Sequence, residues 1–186
     1  GYTLDVTRGD EVWNSSQVWY MPFDDMNDPV TDEISFWPWR EAYYTINVCN
    51  FILSRTTGDD ASLSESMKRI KGQALFLRGY SYYTLAGYYQ NPALITDYAN
   101  YSSLDGLYGK NSTYDDVLDQ VEKDFAEAMT LLPSRDAGGE WAKGRATCGA
   151  AAGYYARTLM LRHKYSDALT VLKDIMNKKY GSYKPV

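Results

Sequence analysis

The sequence is poor in the residues that carry most enzyme chemistry. Its 186 residues hold one histidine, His163, and two cysteines, Cys49 and Cys148. A Ser-His-Asp site or a zinc site built on histidines needs that residue in company with a motif, and none accompanies it. His163 falls between Arg162 and Lys164 where a helix should end, so it reads as a cation at the helix carboxyl end rather than a base. No glycine-rich phosphate loop is present. No apolar run reaches the length of a membrane span. Basic residues are in the minority, and the net charge of −5 argues against a nucleic-acid partner, which calls for a basic face. Both cysteines sit inside apolar helical patterns. They read as buried thiols, with a disulfide open only if the fold brings them together. The chain starts at Gly1 without Met, with no signal peptide or lipid-attachment cysteine, and stops at Val186. That reads as a piece of something larger.

Aromatic residues are abundant instead: 18 Tyr and 5 Trp. Tyrosine in such excess serves either packing, with its hydroxyl finding a polar partner, or recognition. The question is sharpest at "FLRGYSYYTLAGYYQNP", from Phe76 to Pro92. At helical spacing Phe76, Tyr80 and Tyr83 share one face, and Leu75, Tyr82, Ala86 and Tyr89 share another. A helix apolar on most sides is a central one, so these tyrosines read as packing.

The periodicity predicts five helices and no strand. Residues 1–36 show neither a helical nor a strand period and read as an ordered loop region packed on the helices, with residues 37–186 as the helical domain. The first helix is expected from about Trp37 to Arg55 and the second from near Ser62 to Tyr89, stopped by Asn91-Pro92. A long connection covers residues 91–111. The third helix opens at Ser112 or Thr113, with Asp115 and Asp116 in its first turn. Val117, Val121, Phe125, Ala128 and Leu132 form its stripe, and Pro133 closes it. The fourth is expected over Arg145–Arg162 and the fifth over Tyr165–Lys178, with Ala168, Val171, Leu172, Ile175 and Met176 apolar. "KGQALFLRGYSYY" from Lys71 and "KGRATCGAAAGYY" from Lys143 match at a shift of 72 residues, in Lys, Gly, Ala and the Tyr pair. Each copy precedes a second amphipathic helix, as in tetratricopeptide repeats. Small residues on the first helix let its partner approach, and the hairpins stack because neither buries its apolar side alone. The fold class is therefore all-α, with tetratricopeptide-like hairpins in an α–α superhelix and long irregular loops.

"RIKGQALFLRGYSYYTLAGYYQNPAL" resembles the signature helix of the SusD/RagB family of outer-membrane nutrient-binding lipoproteins. "STYDDVLDQVEKDFAEAMTLLP", "GRATCGAAAGYYARTLML" and "KYSDALTVLKDIMNKKYGSY" continue the likeness in order. It covers residues 37–186. Gln90-Asn91-Pro92 is a shortened form of the usual stop, and a C-terminal half typical of the family is absent. The resemblance implies a lipid-anchored protein on the surface of Bacteroidetes cells that caps a TonB-dependent, SusC-like transporter and hands it oligo- or polysaccharides. It implies no catalysis, cofactor or metal. The helical part would be a scaffold facing the transporter, with Tyr165, Tyr180 and Tyr183 as candidates for the exposed docking side. Glycan contacts would come largely from loops, including those before the first helix.

A glycan site needs exposed aromatic faces for the sugar C–H groups and polar side chains for its hydroxyls. "RGDEVWNSSQVWY" supplies both: Trp13, Trp19 and Tyr20 to stack, and Arg8, Asp10 and Asn14 to hydrogen-bond. The competing reading is that these aromatics pin the loop to the helices. The acidic stretch "DDMNDPVTDE" could pair carboxylates for glycoside hydrolysis, but it reads as a solvated loop, and it lacks the glycine and spacing of an EF-hand. The three Asn-x-Ser/Thr sequons, at Asn14, Asn100 and Asn111, carry little weight in a bacterial protein. A tetratricopeptide-like scaffold that binds a protein or peptide, without its own glycan site, is the alternative function.

Overall fold

A computed structural model describes residues 33–99 and 109–183. Side chains at 33–35 and 142 are not among those described. Two units divide the chain, Gly1–Ala42 and Tyr43–Val186. Of the first, only the opening of a helix is described.

Among the described residues there are five α-helices and no strand: α1 (Glu33–Arg55), α2 (Glu65–Tyr89), α3 (Tyr114–Leu131), α4 (Cys148–Leu161) and α5 (Tyr165–Met176). Helix α1 starts four residues before the expected Trp37 and carries Pro38 inside it. A proline there removes one backbone hydrogen bond, which the helix tolerates near its start. Helix α2 begins at Glu65 rather than near Ser62, because the Ser64 hydroxyl caps it by accepting from the Met67 N–H, and Asp60–Ser62 forms a separate 3-10 turn. Thr113 caps α3 in a reciprocal box with Asp116, as its sequence position promised. Helix α4 begins at Cys148, three residues after the expected Arg145. Gly144 has φ +118°, outside the helical region, and Thr147 supplies the cap by accepting from Ala150 N–H. Helix α5 ends at Met176, two residues short of the expected Lys178, whose φ is +63°.

The helices run as hairpins in which α3 packs between α2 and α4, and α5 packs chiefly on α4. The α3 stripe is buried throughout: Val117, Val121, Phe125, Ala128 and Leu132. Leu75 of α2, Ala128 of α3 with Leu132 at its carboxyl cap, and Cys148 and Ala151 of α4 meet around Trp141. A second cluster joins Ala152, Ala156 and Leu159 of α4 to Ala168 and Val171 of α5. Small residues set the spacing between helices. A Cβ at Gly72 would lie 2.9 Å from the Leu132 side chain, and one at Gly79 would lie 3.2 Å from Asp124 Cβ. A Cβ at Gly72 would have to displace the Leu132 side chain, and one at Gly79 would need Asp124 and Phe125 to give by a few tenths of an ångström.

The two sequence copies are equivalent only in their later halves. Lys71 and Gly72 lie inside α2, whereas Lys143 and Gly144 form the turn before α4. On α5, Ala168 and Val171 are buried and Ile175 is partly so, but Leu172 and Met176 are exposed. With α4 as its main neighbour, α5 has only one side of its apolar stripe covered. Both cysteines are buried and free. Burial pushes the Cys49 thiol up to about 11, with Arg78 opposing. It raises Cys148 as well. Both remain protonated at neutral pH and act as small apolar residues.

Candidate functional site

The six residues expected to contact a glycan, Arg8, Asp10, Trp13, Asn14, Trp19 and Tyr20, lie outside the described residues. So does nearly all of the acidic stretch "DDMNDPVTDE". Three features of the described part bear on function: a polar clamp, an aromatic nest and a pair of adjoining grooves.

The clamp is centred on Arg78, in the middle of α2 and almost fully buried. Its Nε and Nη2 donate to the two carboxylate oxygens of Asp124 on α3, at 2.8 and 2.7 Å. Its Nη1 donates to Asn50 Oδ1 on α1, at 2.9 Å. Gln120 Nε2 donates to Asp124 Oδ1 at 2.7 Å. Burial pushes the Asp124 carboxyl up, and Arg78 and Gln120 oppose that shift. Paired with Asp124, Arg78 keeps its charge. The same residues hold the chain beyond α2. Asn50 Nδ2 and the Tyr82 hydroxyl both donate to the Ile95 carbonyl, at 2.8 Å each, and the Ile95 N–H donates back to the Tyr82 hydroxyl at 2.7 Å. The Tyr43 hydroxyl donates to the Ala93 carbonyl at 2.7 Å, and Leu94 N–H donates to Ser112 Oγ. Residues 93–96 therefore leave the helices in a fixed path, with their backbone groups met by α1, α2 and Ser112 rather than by a sheet. This clamp went unread in the sequence. The signal was Arg78 as the one charge in the stretch Gly72–Tyr89 of α2, and an aspartate next to Phe125 in the apolar stripe of α3.

The aromatic nest settles much of the tyrosine question. Tyr82 is wholly buried. Tyr154 of α4 stacks on Phe125 with centroids 5.5 Å apart, and takes the rings of Phe76, Tyr80 and Tyr83 at 5.9, 5.3 and 5.7 Å, nearly perpendicular. The Phe76–Tyr80–Tyr83 face is thus the seam between α2 and α4. It is not closed over, since Tyr80 remains 43% exposed and Arg157 rests 5.7 Å above both Tyr83 and Tyr154.

Two grooves adjoin on the other side of α2. An apolar one of about 310 Å³ runs between α1 and α2, walled by Tyr44, Val48, Ile70 and Leu77. A polar one of about 290 Å³ is lined by Glu65, Ser66, Arg69, Glu140 and Trp141. Ile70, Gln73 and Arg145 line both. Gln73 is fixed by donating to the Ala146 carbonyl at 2.6 Å. Arg145 pairs with Glu140 at 3.2 Å, both more than half exposed. The Arg69 guanidinium lies 5.8 Å above the Trp141 ring.

At the far end, the loop after α4 is tied to α3: Arg162 pairs with Asp119 and Glu122, and Lys164 with Glu122. His163, at φ +58°, shares a 2.7 Å hydrogen bond between Nδ1 and the Tyr165 hydroxyl. Of the three tyrosines expected on an exposed docking side, Tyr165 and Tyr183 are exposed. Tyr180 is half-buried against both core clusters, and Tyr183 packs over Gly149 with its hydroxyl 3.2 Å from Thr147 Oγ1. Their rings anchor the segment after α5 to the helices. Among the described residues no cluster of His, Cys, Asp and Glu could hold a metal ion, and no helix is long and apolar enough to cross a membrane.

Solved structures share this architecture. A SusD-like carbohydrate binding protein from Bacteroides fragilis is 25% identical with a TM-score of 0.74, covering 92% of this chain and 31% of its own. A SusD superfamily protein from Bacteroides vulgatus has a TM-score of 0.83 at 21% identity, over 98% of this chain and 38% of its own. Surface glycan-binding protein A from Bacteroides uniformis has a TM-score of 0.79 at 19% identity, over all of this chain and 42% of its own. The chain thus spans between about a third and two fifths of these relatives. No curated protein matches. Residues 2–160 match the SusD-like family described as "Starch-binding associating with outer membrane". With that match over most of its length, and the same helical architecture, this chain belongs to the SusD-like family.

Proposed function

We propose that this chain is the helical part of a non-catalytic glycan-binding protein on the outer-membrane surface, held by a lipid anchor and working with a TonB-dependent, SusC-like transporter. The family match over residues 2–160 carries this reading. A Bacteroides fragilis relative named as carbohydrate binding supports it. In this account the helices are a scaffold and the segment before α1 supplies glycan contacts through Trp13, Trp19, Tyr20, Arg8, Asp10 and Asn14. Trp13→Ala and Trp19→Ala should each weaken binding of the cognate glycan while helical circular dichroism stays unchanged. Loss of stability with retained affinity would instead make these rings packing. A reducing-sugar assay should detect no release from any glycan that binds.

The transporter would meet the side of α5 where Tyr165, Leu169, Leu172 and Met176 are exposed. These four exposed apolar side chains on one helix are what supports the choice. Leu169→Asp together with Met176→Asp should release the protein from its transporter in a pull-down without lowering its melting temperature. Unchanged co-purification would place the contact elsewhere.

A further inference from the structure

We propose that the polar groove beside Trp141 is a saccharide subsite, in which a pyranose ring stacks on the indole face now covered by Arg69 while Gln73, Glu140 and Arg145 bind its hydroxyls. The proposal rests on the glycan-binding reading and adds a site on the helices, apart from the loop before α1.

The chemistry of the lining selects the ligand. The lining carries two carboxylates, Glu65 and Glu140, and two guanidinium groups, Arg69 and Arg145, with Lys68 paired to Glu65 beside it, so charges of both signs are mixed and no strong excess of one draws a multiply charged ion. A phosphate would meet the carboxylates, and a free metal ion would meet the arginines. What remains is a neutral ligand rich in hydroxyls. Planar side chains such as Arg, Glu and Gln offer paired donors or acceptors at the spacing of neighbouring hydroxyls. The volume of about 290 Å³ lies at the small end of ligand sites, suited to a short stretch of a chain.

The indole is the less obvious part. Trp141 is only 8% exposed. One side packs on Leu75, Leu132 and Ala151 in the core, which fixes the ring. The groove side is covered by Arg69, an exposed side chain whose long stem can turn the guanidinium out to solvent. A guanidinium over an indole contributes about 0.5–1 kcal/mol at such a site, which a sugar C–H face can replace. The ring is thus a rigid platform under a movable cover. Gln73 is likewise held by its bond to Ala146. Through Ile70, Gln73 and Arg145 the groove continues into the apolar one walled by exposed Tyr44, so a longer chain could pass along α2.

Trp141→Ala would disturb the core, so the test uses other residues. Glu140 and Arg145 are exposed and paired with each other, and removing both leaves no orphaned charge. Maltoheptaose and laminarihexaose are titrated into the wild-type chain while the indole N–H resonance of Trp141 is followed. That resonance should move with saturation, and Glu140→Ala/Arg145→Ala should weaken binding about tenfold at an unchanged melting temperature. If a probe binds, the Trp141 resonance stays still and the double variant binds like wild type, the groove assignment is overturned while the glycan-binding reading stands. If neither probe binds the wild type, the groove assignment is overturned, and the glycan-binding reading falls with it only when the wider set of soluble glycans also titrates flat.

Discussion

Asp124→Ala should be the most damaging single substitution in the helical core. The carboxylate is wholly buried and accepts both forks of Arg78 and the Gln120 amide. Its removal leaves a buried guanidinium without a counter-charge. Breaking such a pair from one side costs about 3–5 kcal/mol. For a chain of this size that lowers the melting temperature on the order of 10 °C. The pair itself contributes far less, because both charges were desolvated to form it. Arg78→Met combined with Asp124→Leu should therefore recover much of the loss. Thermal unfolding by circular dichroism checks both statements. A double variant as unstable as Asp124→Ala would show that the Asn50 and Thr96 contacts of Arg78, not its charge balance, hold this region together.

Tyr82→Ala should come second, with a loss of about 3–5 kcal/mol from removing a fully buried aromatic side chain. The neighbouring Tyr83→Ala should cost less, since Tyr83 is only partly buried at the α2–α4 seam. The hydroxyl of Tyr82 has its own part. Ile95 N–H donates to it, whereas the Ile95 carbonyl also has Asn50. Tyr82→Phe thus orphans the N–H alone, at about 1–3 kcal/mol. Its signature is local: amide exchange at Ile95 should accelerate, while amides in α4 and α5 keep their protection. Equal acceleration throughout would mean that residues 93–96 are not held separately from the global fold.

The helices were legible wherever an apolar stripe coincided with a cap. Thr113 with Asp116 opens α3, and Val117 to Leu132 repeat on one face, so local preference and tertiary burial agree. They disagree at the fourth helix. The run from Arg145 has helical composition, but the left-handed turn at Gly144 and the Thr147 cap delay the start, and the freed Arg145 goes to line the grooves. They disagree again at Leu172 and Met176, where a helical stripe was visible but which part of it finds a neighbour is a property of the stack. The Arg78–Asp124 pair was invisible for a similar reason. Its partners lie 46 residues apart on different helices, and no local pattern joins them. The tyrosines divide in the same way. Spacing put Tyr82 and Tyr83 on separate faces, but only the packing of α3 and α4 shows that one is core and the other half of a seam.

The glycan contacts proposed at Trp13, Trp19 and Tyr20 and the subsite proposed beside Trp141 both depend on the same claim. Calorimetric titration of the wild-type chain with soluble glycans, including maltoheptaose and laminarihexaose, tests that claim most directly. The account predicts saturable binding to at least one of them, with the glycan recovered uncleaved. Flat titrations with every glycan on a folded sample, or release of reducing ends, would contradict it.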